Sequence, residues 1–418
     1  VKKLTRCRVC GSEDLTVYID LGELPLSNNL CETKEENPNR YPLQVMLCGD
    51  CNLSQLSVVI DPQILFGHYV YRSSINQGYI NHCRKMAKEL KEEYNLNENS
   101  FMIDIAGNDG ALLNEFKQEI GLKVLNIDPA ANLHHHCLDK GIPMWCTFWG
   151  EKVANMILTR YSGSSKSSEA IQELDPRVDL ITATNVFAHV DDVREFLTAA
   201  KMVLKPDGVL ILEFPYLIDF IDKNEFDTIY FEHLSYFSIT PLNRLCGQLG
   251  LIVSKVEKQD IHGGTVRVHI KQTGLIDNSV YHFLNLEANY RSPQVYGIFA
   301  EASKRAINEF KEGINDLKVQ GFKVAGFAAS AKGNTLLNCA GITDKDLMYI
   351  VDQTPEKIGK YSPGTGIEIV SMDRLTTDPP DYLVILSWNF AQEIKDKCRA
   401  YGYTGKFIIP IPEFVING

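Results

Sequence analysis

Apolar positions fall into short buried-strand runs and into helical spacing, in an order that repeats twice. FMIDI (101–105) reads as a buried strand, ALLNEFKQEIG as a helix and KVLNID as a second strand. A third strand region is predicted from Cys137 to Trp149, followed by a helix in EKVANMILTRY. RVDLITATNVFAHVDD is a strand running into a turn. DDVREFLTAAKMVLKPDGVLILEFPYL is a helix, a Lys-Pro-Asp-Gly turn and another strand. SGSSKSSEA, from Ser162, is a flexible insertion by composition. After a long helix ending near QGF, KVAGFAASAKGNTLLN repeats strand, glycine-bearing loop and helix, and DLMYIVD and DYLVILSWNF add strands. Alternating strands and helices predict an α/β architecture with two Rossmann-like units. Before them, DLGELPLSNNL reads as a loop, RYPLQVML and LSQLSVVI as strands, and the chain from Gln77 as a helix. The expected division is residues 1–67, 68–272 and 273–418.

The length of 418 residues agrees with two or three domains. Apolar content of 44% and charged content of 23% are those of a soluble globular chain. No run approaches the roughly 18 apolar residues of a membrane span. VKKLTRCRVCG lacks an apolar core, so no secretory signal is expected. A net charge of −11 without a basic cluster argues against nucleic acid as a partner. Eleven cysteines, several isolated, point to a reducing cytoplasm with some on metal.

CRVC (Cys7, Cys10) and CGDC (Cys48, Cys51) are two C-x-x-C knuckles. Together they form a closed four-thiolate set, the usual structural zinc site, with no open position for catalysis. Cys31 is a weak substitute ligand. A segment this small has little core, and the metal would supply stability.

The turn AGNDG (Ala106, Gly107, Asn108, Asp109, Gly110) joins the first strand and helix of the middle unit. Asp104 precedes it, and Asp128 ends the second strand, where an acid can hold ribose hydroxyls. The turn has two glycines and not the three of a dinucleotide fingerprint, which suits S-adenosylmethionine better than NAD. Asn185, His189, Glu213 and Pro215 also fall at strand ends. The triple histidine at 134–136 reads as a solvated helix face. In the C-terminal unit, Lys332 and Asn334 stand at a helix N-terminus, a natural phosphate seat. Lys360 is a further candidate, and His262, Gly263 and Arg267 lie at the join, where a pyrophosphate could also reach.

FDTIYFEHLSYFS (226–238) sets two acids and a histidine within an aromatic run. CRVCG, DLGELPLSNNL, YPLQVMLCGDC, DIAGNDG, NVFAHVDD, YFEHLSYFS, HGGTVRV, SAKGNTLLN, VDQTPEKIGKYSPGT and LSWNF occur in this order. Over nearly the whole chain the array resembles the SAM-dependent sugar C-methyltransferases of deoxysugar biosynthesis. The resemblance implies a zinc-binding N-terminal domain, a class I methyltransferase core and a Rossmann-like C-terminal domain that assists substrate binding. It implies methyl transfer to carbon 3, or sometimes carbon 5, of a nucleotide-linked 4-keto-6-deoxy sugar, with thymidine diphosphate (dTDP) the expected nucleotide, and a monomer. It also implies an active-site set of Tyr71, His189, Tyr230, Glu232 and His233. His233 is the expected base, since histidine titrates near neutrality. Two departures stand out: Ala106-Gly107 replace the family's usual glycine-serine, and Phe231 replaces a histidine. Two other functions fit parts of the pattern, an NAD-dependent nucleotide-sugar oxidoreductase or epimerase and a non-catalytic SAM-binding zinc protein.

Overall fold

The strand Phe101–Ile105 lies at the centre of a seven-stranded sheet. A computed structural model describes residues 1–67, 69, 72–161, 176–261 and 263–417. From edge to edge the strands are Met144–Trp145, Lys123–Ile127, Phe101–Ile105, Val178–Thr184, Leu204–Pro215, Thr265–Lys271 and Ile252–Gln259. Only Thr265–Lys271 runs antiparallel to its neighbours. The chain builds outward from the centre to one edge and then crosses to the other. It leaves a switch point between Phe101–Ile105 and Val178–Thr184, where such sheets bind ligands. The central strands are apolar because helices cover both faces: Met102, Ile103, Leu180 and Ile181 are fully buried.

The C-terminal sheet repeats the plan. Its order is Ile369–Val370, Ile350–Val351, Val324–Phe327, Tyr382–Ile385, Lys406–Ile409 and Val415–Asn417, the last antiparallel. The helix Ala331–Ala340 leaves its switch point, capped by Ser330, whose hydroxyl accepts from the Gly333 N–H at 3.1 Å. Helix Pro293–Val319 joins the units. Its Tyr296 and Phe299 pack on Tyr18, with ring centroids 5.0 and 6.3 Å apart.

The N-terminal sheet is antiparallel: Leu15–Pro25, Arg40–Cys48, Ser54–Leu56 and Ser235–Tyr236. Its fourth strand comes from the aromatic run, more than a hundred residues on in the chain. The middle unit is therefore stitched into the first one. A bridge between Cys31 and Tyr361 (N···O 3.0 and 2.9 Å) ties the first to the third.

Several expected elements differ. DLGELP belongs to a strand whose pairing slips twice, so the loop begins only after Pro25. LSQLSVVI breaks at Ser57 into strands of two separate sheets. Cys137 lies in the helix His134–Asp139, and the third strand shrinks to Met144–Trp145. Lys205–Gly208 is a pairing irregularity within the strand Leu204–Pro215 and not a separate turn. The Ser162 insertion lies outside the described residues.

Candidate active site

The two knuckles converge. Cys7 Sγ lies 3.5 Å from Cys51 Sγ, and Cys10 Sγ lies 3.5 Å from Cys48 Sγ. All four sulfurs fall within 4.8 Å of one another. A tetrahedron with Zn–S bonds of about 2.3 Å has edges of about 3.8 Å, so the four thiolates fit zinc closely. Cys31 is not among them, because it faces Tyr361. Arg8, inside the first knuckle, reaches Asp191 Oδ1 (3.1 Å) and the Leu56 carbonyl (3.2 Å). The metal site is thus tied directly to the loop of the middle unit that carries His189.

A cavity of about 650 Å³ opens above the middle switch point and reaches the C-terminal one. Its cofactor end is formed by Ala106, Gly107, Asn108, Asp128 and Asn185. Asp128 accepts the Asn108 N–H at 2.9 Å and the Ala130 N–H at 2.8 Å, which fixes its carboxylate at the cavity wall. Ala106 has φ 52°, a left-handed conformation that favours glycine. Gly107 is required for a different reason: a Cβ there would lie 2.6 Å from both Asp104 Oδ2 and Asn126 Oδ1. The shifted glycine thus serves close packing, and the strain falls on the alanine. These donors and acceptors, with Leu112, Ile127 and Phe148 beside them, fit the ribose and adenine of S-adenosylmethionine.

The aromatic run is folded and not extended. A short helical turn, Phe226–Thr228, leads into a second turn closed by the His233 N–H on the Tyr230 carbonyl (3.0 Å). Three residues apart, Tyr230 and His233 therefore meet on one side. His233 Nδ1–H donates to the Thr228 carbonyl at 2.9 Å, leaving Nε2 to accept the Tyr230 hydroxyl at 2.8 Å. His189 stacks on His233 (centroids 5.1 Å, 19°), and Phe66 stacks on His189 (5.5 Å, 10°). Burial lowers both imidazoles, His189 to about 4 and His233 well below the ordinary value, with His189 adding to the second effect. Tyr230, His233 and His189 all line the cavity.

Glu232 is turned away from it. Its Oε1 accepts from Asn28 Nδ2 at 2.8 Å, within the SNN segment of the N-terminal loop, and Oε2 has no partner. Burial raises this carboxyl. Phe231 also points to the first unit, edge-on to Tyr41 at 5.9 Å.

The remaining candidates divide clearly. Lys332 lines the cavity. Gly263 backs the wall at Glu225, where an added Cβ would meet Oε1 at 2.6 Å. Arg267 does not reach the cavity. It is buried within the sheet, with Nε on Glu213 Oε1 (2.7 Å) and an Nη on Glu89 (2.8 Å), while Glu213 also takes His82 Nε2 (2.8 Å). Asn334 donates to Ser362 Oγ and the Pro363 carbonyl, both 2.9 Å, and Lys360 pairs with Glu32 at 2.8 Å. Both hold loops together. Asp104 lies beneath the turn, accepting from Thr182 Oγ1 at 2.6 Å, and burial raises it to about 7. Asp109 turns to Ser74 and Lys140, and Gly110 starts the helix Ala111–Ile120 with φ 76°. Tyr71 and His262 lie outside the described residues. Glu225, Thr228 and Asn389 also line the cavity, though none was a candidate site residue in the sequence. Thr228 lies inside the aromatic run and Glu225 directly precedes it, so the run was the signal that could have found them.

The strand order, the acid-tipped second strand and the open cavity define a class I SAM-dependent methyltransferase. Family descriptions match three stretches of the chain: a zinc binding domain at residues 7–66, a methyltransferase domain at 79–256 and a C-methyltransferase C-terminal domain at 260–412. The chain is 32% identical to the C-methyltransferase NovU of Streptomyces niveus, over 99% of this chain and 97% of that one. It belongs to this family of zinc-binding C-methyltransferases, the one its motifs resemble, and it is a SAM-dependent methyltransferase. A ubiquinone biosynthesis O-methyltransferase of Bradyrhizobium sp. (strain ORS 278) is 30% identical over 31% of this chain and 45% of its own. Among solved structures, mitomycin 7-O-methyltransferase MmcR aligns with 48% of this chain and 55% of its own, at 14% identity and TM-score 0.34. No helix among the described residues is long and apolar enough to cross a membrane.

Proposed function

We propose that the protein methylates carbon 3 of a nucleotide-linked 4-keto-6-deoxy sugar, through an enolate formed by His233. The observation that carries this reading is the Thr228–His233–Tyr230 chain, which opens on the same cavity as the cofactor turn. A hydrogen beside a ketone is acidic because its carbanion delocalises onto oxygen. The Thr228 carbonyl holds the proton of His233 on Nδ1, so Nε2 is the basic atom. Burial keeps the ring neutral through the neutral pH range. When the sugar binds, the Tyr230 hydroxyl turns from Nε2 to the ketone oxygen, which frees the Nε2 lone pair to take the proton from carbon 3. The hydroxyl stays on that oxygen and stabilises the enolate as its charge develops. His189, stacked at 5.1 Å, fixes the plane of the base. Asp128, Asn108 and Ala106 would hold S-adenosylmethionine, whose sulfonium supplies the methyl group. The ketone re-forms as carbon 3 acquires the methyl, and His233 releases its proton to solvent. Glu232, held by Asn28, acts as a positioning residue that links the zinc unit to the base.

The test is α-proton exchange in heavy water with S-adenosylhomocysteine present, followed by NMR of the sugar nucleotide. Loss of one α-proton signal in the wild type and retention in His233→Ala is the expected result. Exchange that survives His233→Ala would refute the assignment of the base.

A further inference from the structure

At the seam between the middle and C-terminal units, three buried polar atoms make no hydrogen bond. Glu225 lines the cavity at 4% exposure, and its Oε1 has no hydrogen bond. Asp227 is fully buried. Its Oδ2 accepts Trp388 Nε1–H at 2.7 Å, and Oδ1 has no partner. Lys332 Nζ also makes no hydrogen bond. It stands 3.5 Å from Glu225 Oε2 and 5.2 Å from the centre of the Trp388 ring. Buried polar atoms are nearly always satisfied, and orphans that line a cavity mark what a ligand supplies.

The charge balance decides what kind of ligand fits. Two carboxylates surround one ammonium, and burial raises both acids while Lys332 pulls them back. The N-terminus of the helix Ala331–Ala340 adds only a partial positive charge. A phosphate arriving here would meet Glu225 and Asp227, so the expectation that Lys332 anchors phosphate does not suit its surroundings. Glu225 Oε1 seeks a donor and Lys332 Nζ an acceptor, a few ångströms apart.

We propose that Glu225 and Lys332 form a specificity subsite for a neutral group that donates one hydrogen bond and accepts another. A sugar hydroxyl and the N–H/C=O edge of a pyrimidine base share that chemistry. The subsite rests on the nucleotide-sugar reading above for its occupant, but its geometry does not depend on it.

Two measurements test it. The first needs no ligand: thermal melting of wild type and the double variant Glu225→Gln/Lys332→Met, which removes both charges so that neither is left buried alone. A pair kept for a ligand and left half-satisfied stabilises the fold little, so the variant melts at the same temperature or higher. A fall of more than about 3 °C would make the pair a structural clasp and overturn the proposal. The second is calorimetry on the S-adenosylhomocysteine-loaded protein with thymidine, thymidine diphosphate, a thymidine-diphosphate-linked 4-keto-6-deoxy sugar, and pyrophosphate. Glu225→Gln should weaken binding about ten-fold or more. Weakened thymidine identifies the base edge; unchanged thymidine with a weakened sugar nucleotide identifies a sugar hydroxyl. Tighter pyrophosphate binding in Glu225→Gln, abolished in Lys332→Met, would make this a phosphate seat and overturn the proposal. If the wild type takes up none of the nucleotides, the nucleotide-sugar reading falls, and the melting result still judges the subsite.

Discussion

Acidification should weaken the fold through His189. The ring is held at about 4 by burial, against an ordinary value of about 6.5, so between those limits the folded protein binds fewer protons than the unfolded chain. Stability is therefore unaffected above pH 6.5, falls as pH drops through the window, and levels off below 4. At pH 5 the loss from this ring works out at about 2 kcal/mol. That is an upper figure, because one edge of the ring faces the cavity and water there screens a positive charge. His189→Phe preserves the stack between Phe66 and His233 and removes the titration. Chemical unfolding at pH 7.5 and 5 should show the wild type losing about 2 kcal/mol more than the variant. Proton NMR should place the His189 titration near 4. Equal losses in both proteins, or a midpoint near 6.5, would refute the argument that burial controls these imidazoles. It would also remove the reason to expect the base to stay neutral in mildly acidic solution.

Other perturbations separate the remaining parts. Tyr230→Phe leaves His233 Nε2 without its 2.8 Å donor and the enolate oxygen without its own, so turnover should fall about 10²-fold or more, while the acid limb of the pH–rate profile stays well below 6.5 because burial sets it. Cys48→Ser should remove about one equivalent of zinc, measured by a metal assay, and lower the melting temperature together with S-adenosylhomocysteine affinity, because Arg8 carries the knuckle to Asp191. Arg267→Met strands Glu213 beside His82 inside the sheet. A cost of about 3–5 kcal/mol is expected in unfolding, without a direct effect on the cavity lining. Ala106→Gly relieves a left-handed alanine, and a gain of up to about 1 kcal/mol should appear on melting with cofactor affinity retained.

What the sequence could reveal follows from the range of each interaction. The metal cysteines and the cofactor turn were legible because their chemistry is local: two thiols on one turn, or an acid one strand away from a glycine loop. The alternation of strands and helices in both Rossmann-like units was legible in outline, since apolar runs and helical spacing alternate, but the order of strands within each sheet was not. Residue roles that depend on distant partners were not. Arg267 looked like a ligand for a pyrophosphate, yet Glu213 and Glu89 hold it across separate elements. Lys360 looked free, yet Glu32 lies 328 positions away in the chain.

The aromatic run shows both limits at once. Its composition marked it as unusual, but an extended reading would send neighbours to opposite faces by a period of two. The actual turn uses a spacing of three and brings Tyr230 to His233, while Glu232 and Phe231 face the first unit. The long-range pairing of Ser235–Tyr236 with Ser54–Gln55, with Asn28 on Glu232 and Trp388 on Asp227, fixes where that turn must sit. The same pairing gives a reason for a zinc segment to accompany this cavity, which Phe66 of that segment also lines. The sheet beside the four cysteines supplies the edge on which the turn carrying Tyr230 and His233 is built, and Asn28 from the same unit anchors Glu232 next to the proposed base. Loss of metal is therefore expected to disorder the base before it unfolds the cofactor sheet, since the seven-stranded sheet takes no strand from the first unit.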